Sequence, residues 1–184
     1  MELEVSAEAK DKRLNRMIAI TVVVLSVFAG LCNIKDGNIV QAMQQAQSAS
    51  LDRWNEYQAT KTKQHLAEGE RLQIATLAAP GKADAALAGL DKDIARYKAE
   101  APALAQDAKA QSDLYDALNV HDDQFDAGDA AISTAISIAA VAALLESFWL
   151  LGLGWAFGAF GLFMGLNGFL GGSFHPDVLS KLLG

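Results

Sequence analysis

Acidic and basic side chains are absent from three long stretches of this sequence, and they crowd into the segment between the first two. The uncharged runs are 17–34, 130–145 and 147–174. In the 55 residues from 130 to 184 only Glu146, Asp177 and Lys181 are charged, whereas the 95 residues from 35 to 129 hold 26 charged side chains. A water-soluble domain mixes charge along its length, so this segregation excludes a single soluble globule as the simplest interpretation.

The first run has the length of a membrane span. An 18-residue helix over 17–34 is about 27 Å long, close to the ~30 Å thickness of membrane hydrocarbon. Four basic residues precede it: Lys10, Lys12, Arg13 and Arg16. A secretory signal peptide also has this pattern. We expect an uncleaved signal anchor, since Leu31 stands before Cys32, where a lipoprotein signal has a small residue.

The other two runs predict a second and a third span joined by a short turn. Glu146 separates 130–145 from 147–174, and Phe148 and Trp149 beside it are residues that favour a membrane interface. Backbone groups cannot stay unpaired in hydrocarbon, so each run must be helical. Residues 175–184 then form a tail.

Basic residues beside the first span predict its orientation. Four precede it, against Lys35 and Arg53 within about 20 residues on its other side. We therefore expect residues 1–16 to be cytoplasmic in a bacterial inner membrane. The segment 35–129 and the carboxy terminus would then be periplasmic.

The polar segment 35–129 is helical in composition, being rich in Ala, Gln, Lys, Glu and Leu. Asp36-Gly37-Asn38 predicts a break after the first span, and Pro80-Gly81 predicts a reversal. Asp84 can cap the returning helix, and Pro102 fits either a kink or the first turn of another helix. The segment therefore predicts two antiparallel helical arms.

The arms match in length, because 38–79 and 84–129 would each rise about 65 Å from the membrane. Apolar positions of the second arm recur at alternating spacings of three and four: Leu87, Leu90, Ile94 and Tyr97, then Leu104, Ala108, Gln111, Tyr115, Leu118, Asp122 and Phe125. This heptad pattern predicts an antiparallel coiled coil. The same register reaches Ile132 and Ile136, so the arm continues into the second span. The predicted fold is an all-α integral membrane protein with three transmembrane helices and a long extramembrane coiled-coil hairpin.

The segment from Gln44 to His65, with its small residues, Trp54, Tyr57-Gln58-Ala59 and Lys61, resembles a bacterial membrane-protein family catalogued as domain of unknown function 4337. The resemblance extends in layout to one span, a helical middle and two closing spans. It implies this architecture and a bacterial inner membrane, and it implies no catalytic residue.

Trp54, Tyr57 and Lys61 lie at helical spacings on one face. We expect the two rings to pack into the hairpin seam and Lys61 to extend over Tyr57. A ligand-binding role is the alternative.

Glycine recurs along one face of the third span. Its spacings are four, three, four, three and four: Gly154, Gly158, Gly161, Gly165, Gly168 and Gly172. Each glycine costs about 1 kcal/mol relative to alanine inside a helix, so six in register need a physical use. Small residues let helices approach closely in lipid. The partner is either the second span, through Ala135, Ala139, Ala142 and Ala143, or another copy of the chain, which we favour.

Three carboxylates share a helix face just before the second span: Asp122, Asp126 and Asp129. They predict a solvated acidic collar or, in a ring of copies, a cation-attracting vestibule. The group is a poor metal site, because His121 is the one histidine nearby and Cys32 is the one cysteine of the chain. A net charge of -7 argues against nucleic acid.

No nucleophile, base and orienting group can be assembled, so we expect no enzyme and no cofactor. The leading hypothesis is a homo-oligomeric inner-membrane scaffold in contact with lipids. The alternatives are a cation-preferring pore built from the same oligomer, and a membrane sensor that relays a signal to a partner protein.

Overall fold

The structure is a computed structural model that describes residues 2–174 and the side chains of residues 12–174. These residues form three helices, α1 (Glu2–Leu77), α2 (Asp84–Leu144) and α3 (Phe148–Leu170), with no strand among them. Each helix contains a stretch apolar and long enough to cross a membrane. The all-helical prediction is confirmed. The predicted tail 175–184, including His175, lies outside the described residues.

The helix boundaries follow the predicted turns. Pro80 and Gly81 lie between α1 and α2, and Gly81 has the left-handed φ of 74° that glycine tolerates best. Glu146 lies between α2 and α3 with a φ of 51°. The prediction that Asp84 caps α2 is wrong by one position, because the Leu87 N–H donates to the Ala83 carbonyl and Asp84 is already helical. There its charge still favours the amino end of the helix.

The predicted break at Asp36-Gly37-Asn38 is wrong, because α1 continues through it. Cys32 and Ile39 are buried on either side and keep this part of the helix packed. A single glycine costs the helix only about 1 kcal/mol, which such packing can offset. Pro102 likewise lies inside α2, so it does not begin a new helix.

The chain divides into two compact units, to each of which α1 and α2 contribute. The first, which we call the bundle, comprises residues up to Gln41 and from Ala117 onward. Its core lies among all three helices and is built of Leu14, Ile18, Leu25, Ile132, Ala135, Ala139, Ala142 and Leu151. α3 packs here along α2 and α1.

The second unit, Ala42–Asp116, is called the helix pair. The Ser50 hydroxyl donates to the Ala108 carbonyl at 3.0 Å, and Lys98 pairs with Glu68 at 2.9 Å. Because the position on α2 falls as the position on α1 rises, the helices run antiparallel. The predicted seam positions of α2 in this unit, from Leu87 to Tyr115, are all buried or partly buried.

Candidate functional site

The glycine face of α3 lies against other helices of the same chain. Gly154, Gly158, Gly161, Gly165 and Gly168 are all buried, whereas Gly172 follows the end of the helix. A Cβ on Gly154 would lie 3.2 Å from the Ala135 carbonyl oxygen, and one on Gly158 would lie 3.1 Å from Leu25 Cδ1. The predicted alanine surface of α2 is thus one neighbour, and α1 is a second that the sequence pattern did not indicate.

The closest approach along this face is at Gly161. A Cβ there would lie 2.8 Å from the Gly128 carbonyl oxygen and 2.6 Å from Ile132 Cγ1. Neither distance is compatible with a real side chain, and a backbone oxygen cannot rotate away. A Cβ on Gly165 would meet Phe28 and Cys32, and one on Gly168 would meet Phe125. Gly161 is therefore a steric requirement of the bundle, whereas a Cβ at Gly165 or Gly168 would require neighbouring side chains to move.

The far side of α3 is apolar and exposed. Phe157, Phe160, Phe163 and Phe169 are each at least 37% exposed, whereas Met164 is buried. Phe169 packs edge to face on Phe28 and Phe125, and Phe163 packs on Phe174, but both rings stay partly exposed. This surface suits a hydrocarbon environment.

The predicted acidic residues are joined by one from another helix. Asp122 and Asp129 are partly buried and Asp126 is exposed on α2, and Asp36 of α1 lies against Asp122. We call these four residues the acidic cluster. Asp36 Oδ1 is buried and has no hydrogen-bond partner. Within the described residues, no group of His, Cys, Asp or Glu side chains could hold a metal ion.

Electrostatics in the acidic cluster favour bound protons. Burial, followed by the neighbouring charge of Asp122, raises the pKa of Asp36 to about 6. Burial also raises the pKa of Asp122. Ionisation of both contacting carboxyl groups costs free energy because the two negative charges repel each other. The pair therefore keeps one proton at a higher pH than an isolated carboxyl group in water would.

Gln124, beside the acidic cluster, fixes the end of α3. Its side chain is fully buried, and its Nε2 donates to the carbonyls of Gly172 and Phe174 at 2.9 and 2.6 Å. Its Oε1 lies 3.1 Å from His121 Nδ1. Gln124 donates both Nε2 protons to the turn after α3. Its Oε1 therefore accepts a hydrogen bond from His121, whose proton must be on Nδ1.

The charged residues of the bundle lie at its two ends. Lys12, Arg13 and Arg16 lie on the turns of α1 around Leu14, which packs against Leu151 at the start of α3. The acidic cluster lies at the other end, where Phe125 packs against Gly168. No Asp, Glu, Lys or Arg occurs between these levels on any of the three helices.

Trp54 and Tyr57 differ from each other in burial. Their rings pack edge to face with centroids 5.5 Å apart, but Trp54 is exposed and only Tyr57 turns toward the seam. Lys61 Nζ donates to Gln64 Oε1 at 3.0 Å. The prediction that both rings pack into the seam is therefore wrong for Trp54, whose side chain is exposed.

The sequence profile of the family described as "Domain of unknown function (DUF4337)" matches residues 14–171, which is most of the chain. The chain belongs to this family. The matched DUF4337 region begins at Leu14, which is buried in the bundle, and ends at Gly171, the left-handed residue that terminates α3. No curated protein and no solved structure matches the chain significantly.

Several structural residues of this DUF4337 chain had no signal in the sequence pattern. The α1 seam of the helix pair is built of Met43, Ala46, Ser50, Thr60, Gln64 and Ala67. Most of these are polar or small, so a search for apolar periodicity passes over them. Trp155 Nε1 donates to Thr21 Oγ1 at 2.9 Å and joins α3 to α1. Only the tertiary contact identifies this pair.

Several other polar residues have local roles. Asn167 Nδ2 donates to the Phe174 carbonyl at 3.3 Å, Cys32 is buried against Gly165, and Glu146 is exposed in its turn. His65 is largely exposed and lies 3.5 Å from Glu68. None of these side chains is brought together with another into a reactive arrangement among the described residues.

Proposed function

We propose that this DUF4337 protein is a scaffold of the bacterial inner membrane, in which the bundle spans the bilayer and the helix pair assembles with other copies of the chain. The proposal assigns no enzymatic activity and no cofactor. The end of the bundle that carries Arg13 and Arg16 would lie in the cytoplasm and the helix pair in the periplasm.

Membrane insertion is supported by the charge pattern of the bundle. An uncharged zone about 18 residues long on α1 lies between Arg16 and the acidic cluster, and corresponds to about 27 Å. Hydrocarbon of ~30 Å accommodates such a zone, and the end that has more Lys and Arg residues, where Arg13 and Arg16 lie, then takes the cytoplasmic side. The exposed phenylalanines of α3 would face lipid.

Assembly is supported by one observation on the helix pair, namely that its interior is poor in large apolar residues while its exterior is not. Buried positions are mostly Ala, Ser, Thr and Gln. Six large apolar side chains are at least 39% exposed: Leu51, Trp54, Leu66, Leu72, Leu77 and Leu114. Two long helices with so thin a core gain stability when neighbours cover these side chains. We propose coiled-coil contacts between copies of this unit.

The mass of the purified protein in detergent tests the assembly. We expect a multimer, and we expect Leu66→Gln, Leu72→Gln and Leu77→Gln together to shift it toward the monomer. These side chains make little intrachain contact, so the monomer should keep its helicity. Ala75→Gln, at an exposed position of the same helix, is the matched control and should keep the wild-type mass. A monomeric wild-type protein would contradict the scaffold proposal.

A cation-preferring pore is the second candidate, favoured by the acidic cluster, to which α1 contributes Asp36. Carboxylates at a membrane mouth concentrate cations. The glycine face lends the pore no support, because it lies against α1 and α2 of its own chain. Single-channel recording tests this candidate. Cation-selective currents that lose selectivity in Asp126→Asn would favour the pore, and silence at all potentials would favour the scaffold.

A further inference from the structure

α1 carries a second heptad pattern, on the side of the helix that lies away from α2. Its members are all exposed and follow spacings of four, three, four, three, four and three: Leu51, Asn55, Gln58, Thr62, His65, Gly69 and Leu72. We call these residues the outer strip. Thr60 and Gln64, which are buried in the seam with α2, lie on the opposite side of the helix. α1 therefore has two faces with coiled-coil spacing, and α2 covers only one of them.

The outer strip differs in charge from the surface around it. None of its members is Asp, Glu, Lys or Arg, and His65 is its one titratable side chain. Charged residues lie close beside it, at Asp52, Glu56, Lys63 and Glu70. A solvated helix face usually mixes charged with polar residues. A face that packs against its own copy must exclude charge, because each side chain then meets an identical one and like charges repel.

Exposed large apolar side chains of the helix pair are concentrated at the outer strip. Leu51 and Leu72 are members of it and are each at least 59% exposed. They hold the heptad position that parallel two-stranded coiled coils fill with leucine. Trp54 and Leu66 flank the strip and are 39% and 69% exposed. Four of the six exposed large apolar side chains of this unit would thus be covered by one contact.

The flanking positions also suit a parallel pair of copies. In such a pair each residue just before an asparagine-type position of the heptad faces the residue five places later in the second copy. Trp54 then faces Ala59, Lys61 faces Leu66 and Glu68 faces Gln73. No pair brings like charges together, and the stem of Lys61 can cover Leu66.

Polar members of the outer strip tolerate burial between two helices. The Thr62 hydroxyl donates to the Gln58 carbonyl at 2.9 Å, so its burial leaves no donor unpaired. Asn55 presents an exposed amide four residues after Leu51. At this heptad position an asparagine pairs with its copy across a parallel coiled coil and fixes the register.

We propose that the outer strip packs in parallel and in register against the outer strip of a second copy. The two-fold relation makes the contact self-complementary, with Asn55 facing Asn55. The inference rests on the proposed assembly, and on the proposed membrane insertion, because copies anchored in one bilayer with the same orientation run parallel. It adds the surface, the orientation and the register of the contact.

Disulfide trapping in membranes of expressing cells tests the register. In a full-length Cys32→Ala background, Asn55→Cys is oxidised with copper phenanthroline and analysed on a non-reducing gel. With ~8–10 Å between helix axes, facing Cα atoms come within about 7 Å, as a disulfide requires. We expect a disulfide-linked dimer. Lys63→Cys, exposed on the same helix but turned about 100° from Thr62, is the matched control and should give no more dimer than Cys32→Ala alone.

A second variant tests the same position without oxidation. Isoleucine at the position of Asn55 buries apolar surface in a parallel pair, so Asn55→Ile should lower the concentration at which the multimer dissociates by about tenfold or more. Gln106→Ile, at an exposed position of α2, should leave that concentration unchanged. Analytical ultracentrifugation of the detergent-solubilised chain over a dilution series measures both.

The absence of a linked dimer from Asn55→Cys, in a chain that is multimeric by mass, would overturn the inference and leave the assembly proposal standing. Equal cross-linking at positions 55 and 63 would also overturn it, because that result indicates collision in the bilayer. An unchanged dissociation concentration in Asn55→Ile would count against it in the same way. A monomeric wild type would sink the assembly proposal itself, and this inference with it.

Discussion

Addition of one methyl group at Gly161 tests whether the glycine face is a steric requirement. In Gly161→Ala the new Cβ would lie 2.8 Å from the Gly128 carbonyl oxygen and 2.6 Å from Ile132 Cγ1, so α2 and α3 must move apart. Overpacking of this kind costs about 1–3 kcal/mol. Alanine has a higher helix propensity than glycine by about 1 kcal/mol, which offsets part of the cost.

The matched control is Gly152→Ala in the same helix. A Cβ at Gly152 would meet nothing within 4 Å, so this variant receives the gain in propensity without the clash. The free energy of unfolding of Gly161→Ala should therefore fall below that of Gly152→Ala by about 1–3 kcal/mol. For a chain of this length the two melting temperatures should differ by about 2–12 °C.

Thermal unfolding in one detergent, followed by circular dichroism, measures this difference directly. Equal melting temperatures for the two alanine variants would refute the reasoning, because they would mean that α2 and α3 do not approach closely at Gly161. A melting temperature of Gly152→Ala well below that of the wild type would refute the assignment of Gly152 to an open surface.

Three further predictions concern polar side chains. The pKa of Asp36 is raised from 3.8 to about 6, so its protonation adds stability that is complete below about pH 4 and is lost as the pH rises through about 6. Asp36→Asn should flatten this part of the profile of melting temperature against pH. An unchanged profile would contradict the raised pKa of Asp36. Gln124→Met leaves the Gly172 carbonyl without its side-chain donor and the Phe174 carbonyl with Asn167 Nδ2 alone. Denaturant titration should show a loss of about 1–3 kcal/mol, and no loss would mean that the turn does not need Gln124. Arg71→Gln removes an exposed ion pair with Asp91, and in the same titration the free energy of unfolding should change by less than about 1 kcal/mol. A larger loss would contradict the interpretation of this pair as a solvent-screened surface contact.

The helices could be predicted from the sequence because their signals are local. Pro80-Gly81 and Glu146 marked the reversals, and the apolar periodicity from Leu87 onward marked the face of α2 that turns inward. The continuity of α1 through Gly37 could not be predicted in the same way. It depends on the burial of Cys32 and Ile39, which is a tertiary effect.

The site could be predicted only where one helix carries all of it. The glycine pattern of α3 identified a packing face, but the pattern does not say that Leu25, Phe28 and Cys32 of α1 cover part of it. The pairing of Asp36 with Asp122 was missed for the same reason, because these residues are 86 positions apart in the sequence. Buried polar seam residues such as Thr60 and Gln64 resemble surface residues in composition, and only the packing of α2 reveals them.

The central claim is that this bundle crosses a bacterial inner membrane. Its most direct test is the reaction of single cysteines, placed at the two ends of the bundle, with a thiol reagent. In a Cys32→Ala background, Arg16→Cys and Lys35→Cys would be treated in intact cells with a thiol reagent that passes the outer membrane but not the inner one. The account predicts labelling at position 35 in intact cells and labelling at position 16 only after lysis. Equal labelling of both positions in intact cells would contradict it.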